Sequence, residues 1–118
     1  MLVPVSGVAR SGDAGMWSVL VLSGDMDVAM APLLRTAVAE LVTEGRVHLV
    51  WDLAAVTFMD SACLGTLVYA MRSTEARRGR VRLAGAGAQV RRLLELTGLD
   101  TVLGTYKDLA SATGPLPR

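Results

Sequence analysis

Short apolar runs alternate along the chain with stretches in which apolar residues recur every three or four positions, the layout of an α/β domain. WSVLVLS, Trp17–Ser23, reads as a strand, and the Gly12–Gly15 segment before it as a turn. A weaker strand is expected at Leu2–Ser6; Pro4 lacks the N–H that a central position needs, so this segment belongs at a sheet edge. Together they predict an N-terminal hairpin. Leu33, Leu34, Ala37, Val38, Leu41 and Val42 keep the helical period, with Pro32 in the first turn and Gly45 placed to end the helix. Val47–Leu53, VHLVWDL, is almost continuously apolar, as a central strand covered on both faces would be, and Asp52 interrupts it near its end.

Leu64, Leu67, Val68 and Met71 mark one face of a second helix, whose C-terminal end collects Arg77 and Arg78 before Gly79. Arg80–Ala84 alternates arginine with apolar residues, predicting a strand with one solvated face. Val90, Leu93 and Leu94 before Gly98 predict a third helix. A short strand near Thr101–Thr105 and a helix near Lys107–Ala112 complete the pattern. Helical crossovers of this length join parallel strands, so a mixed, mostly parallel sheet of about five strands with about four helices is expected. The length of 118 residues suits one domain with one core, spanning about 2–112, with a frayed tail at 113–118.

With 52% apolar and 19% charged residues, the composition excludes a disordered chain. A net charge of +1 gives no electrostatic warrant for direct nucleic-acid binding or for an anionic membrane. The distribution is less even. Arg72, Arg77, Arg78, Arg80, Arg82, Arg91 and Arg92 meet only Glu75 and Glu95 in their stretch, which is a solvated basic face or a docking surface for an acidic partner. A single cysteine, Cys63, cannot form an internal disulfide. No apolar stretch approaches the roughly 20 residues that span a bilayer, and no charged segment precedes an apolar one at the N-terminus. A cytoplasmic protein without membrane insertion is expected.

TFMDSACLG, Thr57–Gly65, follows the central strand and opens a helix, at the strand end where parallel sheets carry their sites. Asp60 or Ser61 can cap that helix. A serine exposed there is also a suitable phosphate acceptor, because free amides and the helix dipole stabilise added negative charge. Nucleophilic catalysis lacks a base: the one histidine, His48, stands in the strand before the site, and the G-x-S-x-G elbow is missing. One Cys and one His do not make a zinc set, so no metal is expected. LAGAGAQV, Leu83–Val90, has Val90 where a dinucleotide fingerprint needs its third glycine, and Gly85 and Gly87 read as turn residues, so no cofactor is expected.

LSGDMD, Leu22–Asp27, then VWDLAAVTFMDSACLGTLVYAMR, Val50–Arg72, and LLELTGLDTVL, Leu93–Leu103, resemble the STAS domain of bacterial anti-anti-sigma factors over nearly the whole chain. The resemblance implies a non-enzymatic module that binds an anti-sigma factor, often a serine protein kinase, and so frees a sigma factor. It also implies that the kinase phosphorylates Ser61, that the modified protein lets go, and that a phosphatase resets it. By position the partner-binding residues would be Asp27, Asp60, Ser61, Ala62 and Cys63. Cys63 replaces a glycine usual in the family, and Ala62 replaces a Ser or Thr that would offer a second acceptor; of Ser61 and Thr57, Ser61 is the expected one. A thiol at a helix start can be reactive, although a free cysteine is more often a small inert apolar residue. Two other readings remain open: a STAS subunit docked constitutively in a lipid or solute transport system or larger signalling assembly, and a small-molecule or phosphotransfer protein using the Gly85 turn.

Overall fold

The structure, a computed structural model, describes residues 6–116. Its strands are β1 (Gly7–Ala14), β2 (Trp17–Met26), β3 (His48–Met59), β4 (Arg80–Ala84) and β5 (Gly104–Tyr106). Its helices are α1 (Ala31–Thr43), α2 (Ser61–Glu75), α3 (Ala88–Thr97) and α4 (Leu109–Ala112), with a single 3-10 turn at Leu99–Thr101. The sheet order follows the chain, β1-β2-β3-β4-β5; β1 is antiparallel to β2 and every other pair is parallel. None of the described helices is long and apolar enough to cross a membrane.

Parallel strands laid down side by side in chain order, joined by right-handed crossovers, put every crossover helix on the same face. The core divides accordingly. On one face Leu20, Leu22, Leu49, Trp51, Leu53, Val81 and Leu83 pack with Leu34, Val38 and Leu41 of α1, Leu64 and Leu67 of α2, and Val90 and Leu94 of α3. On the other face a small cluster of Trp17, Val19, Val50 and Ala84 is covered by Ala112 of α4 and by Leu109 and Leu116.

This second face corrects two expectations. Arg82 lies on it with only 6% exposure, instead of on a solvated side. Its guanidinium stacks on the rings of Trp17 and Tyr106, with centroid distances of 4.3 and 5.0 Å, and donates to the carbonyls of Ala112, Gly114 and Pro115. The Trp17 indole N–H donates to the Gly114 carbonyl at 2.9 Å. Residues 113–116, expected to fray, are therefore a strap held across the sheet; residues 117 and 118 lie outside the described residues. Among the described residues the buried cation finds carbonyl dipoles and aromatic faces, and no carboxylate pairs with it.

The strand expected at Leu2–Ser6 falls outside the described residues except for Ser6, which is not in a strand. β1 is instead Gly7–Ala14, and the turn shrinks to Gly15 and Met16. An edge strand needs one neighbour and no buried face, so its polar sequence is no obstacle, and Gly12 takes a positive φ where the register slips between Arg10 and Asp13. The last strand starts at Gly104, because Leu99–Thr101 continues as a 3-10 turn after Gly98. β3 runs on past Leu53 to Met59, with its second half largely exposed.

At the end of α2 the residue with positive φ is Arg78, not Gly79. Gly79 answers a different need, since a Cβ there would stand 2.0 Å from the Val47 carbonyl oxygen. Gly45 behaves as expected: it is left-handed, its N–H donates to Val42, and the Arg46 N–H donates to Leu41.

Candidate functional site

The site begins with two neighbouring strand ends. Met26 pairs with Met59 and Asp25 with Phe58 in the parallel ladder, and the Asp60 N–H donates to the Met26 carbonyl at 3.0 Å. The chain therefore leaves β2 and β3 at adjacent points, which places the segment starting at Asp27 beside the start of α2. A further tie joins the two strands where the Thr57 hydroxyl donates to the Asp25 carboxylate at 2.7 Å.

Asp60 is the N-cap of α2. One of its carboxylate oxygens accepts from the Ala62 N–H at 2.8 Å and from the Cys63 N–H at 3.3 Å. Ser61, next to it, is exposed, and among the described residues its hydroxyl has no hydrogen-bond partner. The capping role thus belongs to Asp60, which leaves Ser61 available. Two of the first-turn amides, those of Ala62 and Cys63, are already engaged by the Asp60 carboxylate.

Asp27 is exposed, and its carboxylate accepts from the Ala29 N–H at 3.0 Å, closing a local turn. Its carbonyl accepts from the Cys63 thiol at 3.3 Å. Cys63 has no exposed area, so its expected place among the partner-contacting residues is corrected: its side chain points into the core under the loop it holds. Burial first, then the charges of Asp60 and Asp27, push the thiol pKa up to about 11, so it stays protonated. The reactive-thiol reading loses its basis. Ala62 is half-buried at the rim.

Asp27, Asp60, Ser61, Ala62 and Cys63 are thus brought together, with Asp25 alongside. None of the three aspartates is in an ion pair among the described residues, so this lip is acidic. Exposed apolar side chains stand at the same end of the sheet: Val28 at 68%, Leu33 at 58% and Phe58 at 44%. Leu33 keeps the helical period but lies off the buried face of α1, which is Leu34, Val38 and Leu41. Arg77 and Arg78 follow α2 and Arg80 opens β4, at the other end of the helix from Ser61.

Other candidates are separated from Ser61. His48 begins the 12-residue strand that ends just before the site, and its ring lies edge-on to Trp17 at 5.7 Å. No histidine base can reach Ser61 across that span. Gly85, with φ +71°, makes a tight turn against Ala54, and Gly87 is the N-cap of α3, which matches the turn reading of LAGAGAQV.

One participant has no signal in the sequence. The Gln89 side chain accepts from the Met59 N–H at 2.9 Å and donates to the Met59 carbonyl at 2.8 Å. Both partners lie 30 positions away along the chain.

The STAS domain family pattern matches residues 8–112. An anti-sigma-B factor antagonist of Listeria monocytogenes is 32% identical over 82 residues, covering 70% of this chain and 72% of that protein. The crystal structure of an anti-sigma factor antagonist from Mycobacterium paratuberculosis superposes with a TM-score of 0.78 at 31% identity, over 93% of this chain and 91% of that one. The STAS domain of a SulP transporter from Vibrio cholerae gives a TM-score of 0.67 at 25% identity, over 88% and 83% of the two chains.

Proposed function

The chain belongs to the STAS domain family, and on that footing we propose that it is an anti-sigma factor antagonist switched by phosphorylation of Ser61. Unmodified, it docks on an anti-sigma factor through the lip around Asp27, Asp60 and Ser61 and so releases a sigma factor. A serine kinase, which can be the anti-sigma factor itself, phosphorylates Ser61 and ends the docking. A phosphatase restores it. The module carries out no chemistry of its own.

The observation that supports this reading best is the exposed, unpartnered Ser61 hydroxyl beside the Asp60 carboxylate. Phosphorylation adds about −1.5 to −2 charges, and here they arrive next to Asp60 and near Asp25 and Asp27. Because Asp60 already holds the Ala62 and Cys63 amides, those two donors do not offset the repulsion that the added charge meets. A partner surface suited to this lip offers basic groups to the aspartates and apolar groups to Val28 and Phe58. Loss of about 3 kcal/mol of complementarity lowers affinity roughly 100-fold, which suffices to separate the complex without unfolding either protein.

The test compares wild type, Ser61→Ala and Ser61→Asp for binding to the cognate anti-sigma factor, and maps the phosphate after incubation with that kinase and ATP. Phosphate at Ser61 and weak binding of Ser61→Asp are expected. Phosphate elsewhere, or wild-type affinity in Ser61→Asp, removes the switch. The likeness to the SulP transporter domain supports one second reading, constitutive docking in a transport assembly. Co-purification with a transport protein, insensitive to Ser61→Asp, would select it.

A further inference from the structure

Resting on the docking role proposed for the Ser61 lip, we infer that Gln89 is a positioning residue for it, a clamp that fixes the segment from which Asp60 and Ser61 emerge. β4 pairs only with the first part of β3, from His48 to Asp52, so the strand continues from Leu53 to Met59 with no neighbouring strand on that side among the described residues. A free strand end of this kind frays, because its backbone groups exchange partners with water. At Met59, the last residue of β3, the Gln89 amide supplies what a neighbouring strand would: an acceptor at 2.9 Å for the N–H and a donor at 2.8 Å for the carbonyl.

The next residue is Asp60, the cap of α2, and the one after it is Ser61. On the other side Asp60 is held by Met26, so the peptide leading into the site is gripped between β2 and the first turn of α3. Gln89 is itself exposed and can be replaced without opening the core. Its two bonds also specify an amide. A glutamate in its place keeps an acceptor for the Met59 N–H but sets a carboxylate oxygen against the Met59 carbonyl.

The experiment uses hydrogen exchange together with binding, on the full chain carrying Gln89→Ala or Gln89→Glu. Met59 amide exchange is expected to quicken about tenfold in Gln89→Ala, by more than the amides of Leu49–Trp51, which report any loss of global stability. Affinity for the anti-sigma partner should fall by a similar factor, and Gln89→Glu should not rescue it. Unchanged Met59 exchange in Gln89→Ala overturns the clamp, and faster exchange with wild-type affinity overturns its role in docking. Ser61→Asp, measured alongside, separates the two ideas: if it binds as wild type the switch at Ser61 fails, while Met59 exchange still decides the clamp.

Discussion

The Cys63 thiol donates to the Asp27 carbonyl at 3.3 Å, which ties the first turn of α2 to the segment after β2. Their separation in sequence is 36 positions, and both flank the exposed Ser61 hydroxyl. This buried tie suggests how a small side chain can shape a surface that it does not reach.

Cys63 should resist alkylation at neutral pH. Its thiol is fully buried and its pKa is raised to about 11, so iodoacetamide labelling of the native protein should be negligible near pH 7 and grow only toward strongly alkaline conditions. Above the ordinary thiol range the unfolded chain loses its proton while the folded one keeps it, so this group's contribution is intact below that range and is lost as pH rises toward 11. Labelling that is fast at pH 7 would contradict the buried position.

Asp60 and Ser61 should separate cleanly on mutation. Asp60→Ala removes the cap of two amides and should cost about 1 kcal/mol in denaturant unfolding. Ser61→Ala, which removes an exposed hydroxyl without a partner, should stay within about 0.5 kcal/mol of wild type. A larger loss for Ser61→Ala would mean that the hydroxyl is structural.

Two glycines should respond in opposite directions. Gly79→Ala drives a Cβ to 2.0 Å from the Val47 carbonyl oxygen, and relief requires backbone movement, so a loss of about 3 kcal/mol or more is expected. Gly65 lies inside α2 with open space around it, and Gly65→Ala should add about 0.5–1 kcal/mol. Thermal melts of the two variants provide the check.

Arg82→Met should loosen the C-terminal strap. It removes the charged donor that holds the carbonyls of Ala112, Gly114 and Pro115, at a cost of about 2 kcal/mol. Protease cleavage after residue 112 and a red shift of Trp17 emission, read in a Trp51→Phe background, are the expected signs. A strap that remains protected would show that Arg82 is not its anchor.

Much of the fold was legible because the relevant signals are local. The period in Leu34, Val38 and Leu41, the glycine after α1 and the apolar run at Leu49–Trp51 are decided by neighbours a few residues away. The placement of the candidate site was legible for the same reason: Asp60 and Ser61 stand where a strand gives way to a helix, and Asp60 caps within its own turn. β1 was misplaced because an edge strand carries little apolar signal, and its position is set by pairing with β2.

The sequence by itself therefore determined the order of strands and helices, the family, and the placing of a hydroxyl next to a carboxylate at the start of α2. Only the tertiary structure decided that Asp60 takes the amides and Ser61 is left free, that Cys63 turns inward to Asp27, that Gln89 grips Met59, and that Arg82 is roofed by residues 113–116. The physical reason is shared by the last three. Each joins groups 30 or more positions apart, and the geometry that brings them within hydrogen-bond distance exists only once the sheet has formed.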